Sequence, residues 1–92
     1  MGARTFEVEA GTIVAASEIA ATMLQAARLD GPDVPVDPAV GRAVLEGTCG
    51  RDLAALGVVA IRWHPTSRLV RLTVDRTERG THVLRRARRL FG

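Results

Sequence analysis

The stretch IRWHPTSRLVRL, residues 61–72, decides the fold of this chain. Apolar and polar residues alternate on both sides of HPTS, and Pro65 is a common turn residue. The alternation continues outward to residues 58 and 74, so the sequence predicts a β-hairpin. The side chains expected to be structural are Val59, Ile61, Trp63, Val70, Leu72 and Val74. Arginines also stand along the hairpin, so it either contacts a partner or only closes an ordinary α+β core.

The chain upstream of the hairpin predicts one strand and three helices. Thr12 and Asp37 are suited to N-cap the first two helices, and Gly57 is suited to close the third in the C′ position. A turn near Gly47 separates the second and third helices. The expected spans are a strand over 5–10, helices over Ile13–Leu29, Pro38–Glu46 and Thr48–Leu56, and an acidic loop rich in proline and glycine over 30–38.

The C-terminal segment RTERGTHVLRRARRLFG, residues 76–92, has the clearest amphipathic pattern. At helical spacing its apolar residues cover one arc and four arginines occupy the rest. The apolar arc consists of Val83, Leu84, Ala87, Leu90 and Phe91. The resulting order, strand–helix–helix–helix–β-hairpin–helix, predicts a single small α+β domain over residues 1–92.

Charge is distributed unevenly along the chain. Residues 1–60 carry four arginines against eight acidic residues, whereas residues 61–92 carry nine arginines against two. Such a distribution predicts one basic face and hence a polyanionic partner. Every basic residue is arginine, which the codon usage of a GC-rich genome would also give. The alternative interpretation is that these arginines only solvate exposed faces of the hairpin and the last helix.

Groups that could carry catalysis or bind a metal are sparse. The one cysteine, Cys49, and the two histidines, His64 and His82, lack the paired spacing of a structural zinc site. GTCGRD, residues 47–52, matches neither a P-loop nor a dinucleotide fingerprint. We therefore expect no enzyme and no cofactor or metal. No signal-peptide pattern or membrane-spanning apolar stretch is seen, so a cytoplasmic protein without membrane contact is expected.

The segment DLAALGVVAIRWHPTSRLVRLTVDRTERGTHVLRRA, residues 52–87, resembles the second half of a winged helix-turn-helix domain of the MarR-like kind. The matching features are a leucine-rich helix end at Leu53, Leu56 and Gly57, an apolar strand, a wing tip at 65–68, a second strand, and Thr77-Glu78-Arg79-Gly80 opening the next helix. The resemblance extends over residues 48–88 and implies a winged-helix-like fold.

This resemblance implies binding to duplex DNA as a homodimer, in a transcription regulator or an accessory DNA-binding factor. The helix that starts at residue 48 would lie in the major groove, and the wing would contact the backbone or the minor groove. The residues implied to contact DNA are Thr48 and Arg51 on that helix, Arg62, Arg68 and Arg71 on the wing, and Arg42 on the preceding helix.

A second class of function remains open, namely a non-enzymatic protein-interaction or structural module of a larger complex. The Ala-rich first helix would then pack against a partner chain, and Leu84, Leu90 and Phe91 would form an oligomer or partner interface. The basic C-terminal half would meet an acidic protein surface. RNA binding is a third option, against which the 3% aromatic content argues. A continuous face of exposed arginines would favour DNA, and an exposed apolar patch would favour a protein partner.

Overall fold

The computed structural model of the protein describes residues 4–28, 35–47 and 50–91, with the backbone alone for Arg51. Its elements are β1 (Arg4–Glu9), α1 (Ile13–Ala27), α2 (Pro38–Leu45), α3 (Gly50–Ala55), β2 (Val58–His64), β3 (Leu69–Val74) and α4 (Glu78–Phe91). Within these ranges the chain is an α+β domain of four helices and a three-stranded antiparallel sheet, and the predicted order of elements is confirmed. Residues 29–34 and Thr48, which fall in predicted elements, lie outside the described residues.

Helix boundaries follow from local hydrogen bonds. Thr12 Oγ1 accepts a hydrogen bond from Ala15 N at 3.1 Å, and Asp37 Oδ1 accepts one from Ala39 N at 2.8 Å. Both predicted N-caps are therefore confirmed. Gly57 follows α3 with a φ of 81°, the left-handed conformation that glycine adopts without steric cost. The predicted C′ glycine is thus also confirmed, and it turns the chain directly from α3 into the hairpin.

The sheet has the strand order β1-β3-β2, so that the hairpin's second strand lies in the centre. One face, the core face, packs against the helices, with α1 at the centre of the domain between the sheet, α2 and α4. The other, which we call the outer face, is exposed or half-buried. Its residues are Thr5, Glu7 and Glu9 of β1, Leu69, Arg71 and Thr73 of β3, and Ala60, Arg62 and His64 of β2.

Regular alternation in β2 is interrupted at Val59. Val58 pairs with Val74 and Ala60 pairs with Thr73, so Val59 is the extra residue of a β-bulge. Val58 is 2% exposed and Val59 is 58% exposed. The prediction that Val59 belongs to the structural set of the hairpin is therefore wrong. The extra residue shifts the alternation by one position, so Val58, and not Val59, points to the core face.

The end of α3, the end of β3 and the start of α4 meet at one point, which we call the Gly80 junction (Gly57, Asp75, Thr77 and Gly80). Asp75 N donates to Gly57 O at 3.0 Å, and Asp75 Oδ1 accepts from Thr77 N at 3.0 Å and from the Thr77 hydroxyl. Thr77 Oγ1 in turn accepts from Gly80 N at 3.1 Å, inside the first turn of α4. A Cβ on Gly80 would collide with the carbonyl oxygen of Asp75. The junction thereby fixes α4 against the hairpin.

The apolar face of α4 closes the core. Val83, Leu84 and Ala87 are buried, as the helical spacing predicts. Leu84 is 3% exposed, so its assignment to a partner interface is wrong, because the domain's own core already covers it. Phe91 is half-buried, and its ring centroid lies 6.1 Å from that of Phe6 on β1. Of the three predicted interface residues, Leu90 alone is exposed, at 40%.

Candidate nucleic-acid interface

The hairpin brings two of the predicted DNA-contacting arginines side by side on the outer face. Arg71 of β3 pairs in register with Arg62 of β2 on one side and with Glu7 of β1 on the other. Directly opposed side chains of antiparallel strands have Cβ atoms about 4.5–5.5 Å apart, and like charges placed this way repel each other. The row Glu7–Arg71–Arg62, which we call the hairpin row, therefore contains one acidic and two basic side chains.

Glu7 compensates the charge of Arg71. Arg71 Nε and Nη2 donate to Glu7 Oε2 at 3.0 and 2.8 Å. Both side chains are exposed, and an ion pair in that setting stabilises a fold by about 0.2–1 kcal/mol. The pair is weak enough for a phosphate to replace the carboxylate. Glu7 is a residue that the sequence analysis did not assign to the site.

The side chains of Arg62 and Arg68 are exposed, and neither guanidinium group makes a hydrogen bond or ion pair with the described residues. Arg68 ends the turn over residues 65–68 in the left-handed conformation, with a φ of 56°. Its carbonyl oxygen accepts a hydrogen bond from Ala10 N at 2.8 Å, which fixes the turn against the end of β1. The hairpin thus presents two uncompensated guanidinium groups from a backbone that is held at its tip.

Trp63 holds the hairpin from the core face. Its indole Nε1 donates to the carbonyl oxygen of Ala10 at 2.9 Å, and the ring packs against the buried core. This hydrogen bond and the one from Ala10 N to Arg68 O join both backbone groups of Ala10 to the hairpin. Trp63 is therefore a packing residue, as the sequence analysis expects, and the polar end of its ring has a partner.

On the helices, the predicted interface is described only in part. Arg42 on α2 is exposed, and its Nε donates to Glu46 Oε1 at 3.3 Å, an (i, i+4) pair. Thr48 lies outside the described residues, and for Arg51 the structure gives only its place in the backbone of α3. The six-residue α3 packs against β2 and leads into it through Gly57.

A second group of arginines lies on α4, away from the hairpin row. The side chains of Arg85, Arg88 and Arg89 are exposed, and none of their guanidinium groups makes a hydrogen bond or ion pair with the described residues. The contact of Phe91 with Phe6 places α4 on the core side of the sheet, whereas the hairpin row projects from the outer face. The expectation of one basic face is therefore wrong, because the sheet layer separates the two groups.

The described residues hold little else that suggests chemistry. No group of three or more histidine, cysteine or acidic side chains in this part of the chain could hold a metal ion. No described helix is long and apolar enough to cross a membrane. One depression of about 130 Å³ runs between α2, α3 and β2 beside Arg62.

Comparison with known proteins finds no relative of this chain: no protein family, no curated protein and no solved structure matches it. Its function is therefore inferred from its own residues.

Proposed function

We propose that the protein is a small winged-helix-like DNA-binding protein, a transcription regulator or accessory factor, that holds duplex DNA with its hairpin. The observation that carries this proposal is the pair Arg62 and Arg68, exposed and uncompensated on a hairpin whose tip is fixed by Ala10. Guanidinium groups donate two parallel hydrogen bonds to a phosphate, so the pair is suited to the DNA backbone.

The elements around the hairpin support the same proposal. α3, the glycine turn, the two strands and α4 follow one another as in the second half of a winged-helix domain. In this arrangement α3 enters the major groove, where Thr48 and Arg51 contact base edges, and the hairpin lies along the adjacent backbone. Arg42 on α2 and Arg71 each add a phosphate contact once phosphate displaces their carboxylate partners, Glu46 and Glu7.

The test is binding to a labelled random-sequence duplex, followed by fluorescence anisotropy from low to near-physiological salt. The wild-type protein is expected to bind with micromolar or tighter affinity that weakens steeply as salt rises. In Arg62→Gln/Arg68→Gln, the slope of log K against log salt should become shallower by about 2, since each lost phosphate contact removes about 0.9 from its magnitude. Arg28→Gln, at the end of α1, gives the effect of removing one positive charge outside the hairpin.

An unchanged slope in the double variant would refute the proposed DNA contacts of the hairpin. Both variants are expected to keep the fold, because all the replaced arginines are exposed. Circular dichroism checks this. Loss of binding in Arg28→Gln to the same degree would show that net charge, and not the hairpin, governs the affinity.

A homodimer or another protein partner is a separate proposal, supported by the exposure of Leu90 near the end of α4. Val14, Val40 and Val59 are further exposed apolar side chains, each on a different element, and single exposed residues of this kind are common on monomers. Sedimentation equilibrium of wild type and Leu90→Ser tests the proposal, which requires a wild-type dimer that the variant weakens.

A further inference from the structure

We propose that α4 carries a second nucleic-acid surface, made by Arg85, Arg88 and Arg89, that binds the phosphate backbone of a duplex without sequence preference. We call it the α4 surface. It goes beyond the proposed function, because it lies on the other side of the sheet from the hairpin row and requires neither Arg62 nor Arg68.

The three residues form one cluster on the helix. Arg88 and Arg89 follow Arg85 at (i, i+3) and (i, i+4), so their Cβ atoms lie about 5–6 Å from that of Arg85. All three are exposed, and no described acid pairs with them. Glu78, about two turns before Arg85, is the only acidic residue of α4. The cluster is therefore a concentrated positive charge with free donors.

The concentration of charge opposes helix stability. Like charges at (i, i+3) and (i, i+4) repel each other and destabilise a helix. Arg88 and Arg89 recover part of this cost because they stand in the last turn, near the negative end of the helix dipole. Arg85 has no such compensation. A bound polyanion would remove the repulsion, whereas Arg71 and Arg42 already have carboxylate partners.

The surroundings of the cluster favour a phosphate backbone over a lipid surface. A basic amphipathic helix binds membranes by inserting its apolar face. In α4 that face is used by the core, where Val83, Leu84 and Ala87 are buried. Arginine binds phosphate in a bidentate manner, and a duplex presents closely spaced phosphates to several arginines at once.

The surface extends from Arg85 toward the start of α4. An open depression of about 590 Å³ is lined there by Glu78, Arg79, Thr81, His82 and Arg85. Arg79 and His82 add donors along the same helix.

The test compares three proteins with the same labelled random-sequence duplex over the same salt series. Arg85→Gln/Arg88→Gln/Arg89→Gln removes the charge with residues of similar helix propensity, and Arg85→Lys/Arg88→Lys/Arg89→Lys retains it. In the glutamine variant the slope of log K against log salt is expected to become shallower by about 3, since each lost phosphate contact removes about 0.9 from its magnitude. The lysine variant should keep the wild-type slope. Thermal unfolding followed by circular dichroism checks that both variants fold.

The outcomes separate this inference from the function proposed for the hairpin. An unchanged slope in the glutamine variant overturns the α4 surface, whatever Arg62→Gln/Arg68→Gln does. A reduced slope in the glutamine variant together with an unchanged one in the hairpin variant supports the α4 surface and overturns the hairpin site. Wild-type protein that binds no duplex at low salt overturns both. Binding to poly-glutamate, measured over the same salt series, tests an acidic protein partner. The α4 surface is overturned if the glutamine variant loses binding to poly-glutamate but keeps its duplex binding.

Discussion

The hairpin row and the α4 surface are both rich in arginine, yet they differ in what stands beside the charge. In the hairpin row Glu7 accepts two hydrogen bonds from Arg71, whereas no described acid pairs with the α4 surface. The difference arises from the sheet order, which places the acidic β1 next to β3. The number of arginines in a segment therefore does not give the charge that a ligand meets, because the neighbouring strand decides how much is compensated.

Breaking the Gly80 junction should disturb both surfaces at once and have the largest effect. In Gly80→Ala the new Cβ meets the carbonyl oxygen of Asp75, so α4 must shift away from the hairpin. We expect the free energy of unfolding to fall by about 3 kcal/mol, at the upper end for overpacking, as measured by urea denaturation. Gly11→Ala is the matched control, since its Cβ meets nothing within 4 Å. Equal urea midpoints for Gly80→Ala and wild type would show that α4 is not fixed at this point.

Removing methyl groups from Val58 and from Val59 compares a buried side chain of β2 with the exposed side chain of the bulge. Val58→Ala is expected to lower the free energy of unfolding by about 2 kcal/mol, because it removes two buried methyl groups and leaves a cavity. Val59→Ala should change it by less than about 0.5 kcal/mol, as for an exposed site. Urea denaturation of both variants makes the comparison. A larger effect at Val59 would contradict the bulge and restore the regular alternation.

Loosening the hairpin from the end of β1 should weaken the hairpin site and spare the α4 surface. Trp63→Phe keeps an aromatic ring, although a smaller one, and removes the donor to the carbonyl oxygen of Ala10, a buried residue. An unsatisfied buried acceptor costs about 1–3 kcal/mol, and we expect about 1.5 kcal/mol by urea denaturation. Trp63→Leu, which loses both ring and donor, should cost more. If Trp63→Phe had the same free energy of unfolding as wild type, the hydrogen bond to Ala10 would not be needed to hold the hairpin against the end of β1.

Releasing Arg71 should make the hairpin row resemble the α4 surface, with the smallest effect on stability. Glu7→Gln is expected to reduce the free energy of unfolding by less than about 1 kcal/mol, since the pair is exposed. Duplex affinity should rise several-fold and its salt dependence should steepen, because one more arginine is available to phosphate. Glu18→Gln on α1, which removes an exposed acid that has no arginine partner, is the control for net charge. Equal gains in both variants would contradict a specific role for Glu7.

Short-range signals in the sequence were sufficient for the order of elements and for the ends of the helices. Thr12, Asp37 and Gly57 act as the predicted caps because capping depends only on residues a few positions away. The burial of Val83 and Ala87 likewise follows from helical spacing. Each of these features is settled within about one turn of the chain.

Features that depend on distant neighbours were not predictable in the same way. The alternation in TFEVEA marks Glu7 as exposed, but nothing in it indicates that β1 pairs with β3 and reaches Arg71. Helical spacing places Leu84 and Leu90 on one arc without showing that the core covers only the first. The bulge at Val59 has no glycine or proline to mark it, so a strict two-residue period assigns the wrong face.

Trp63 can report on each variant above that retains it. It is the only tryptophan, and the chain has no tyrosine, so ultraviolet excitation yields emission from one indole. That indole is half-buried and bonded to the residue that fixes the turn at Arg68. The protein thus contains an intrinsic fluorophore near the tip of the hairpin. Its emission maximum will distinguish a variant that has lost its ligand contacts from one whose hairpin has come away from the core.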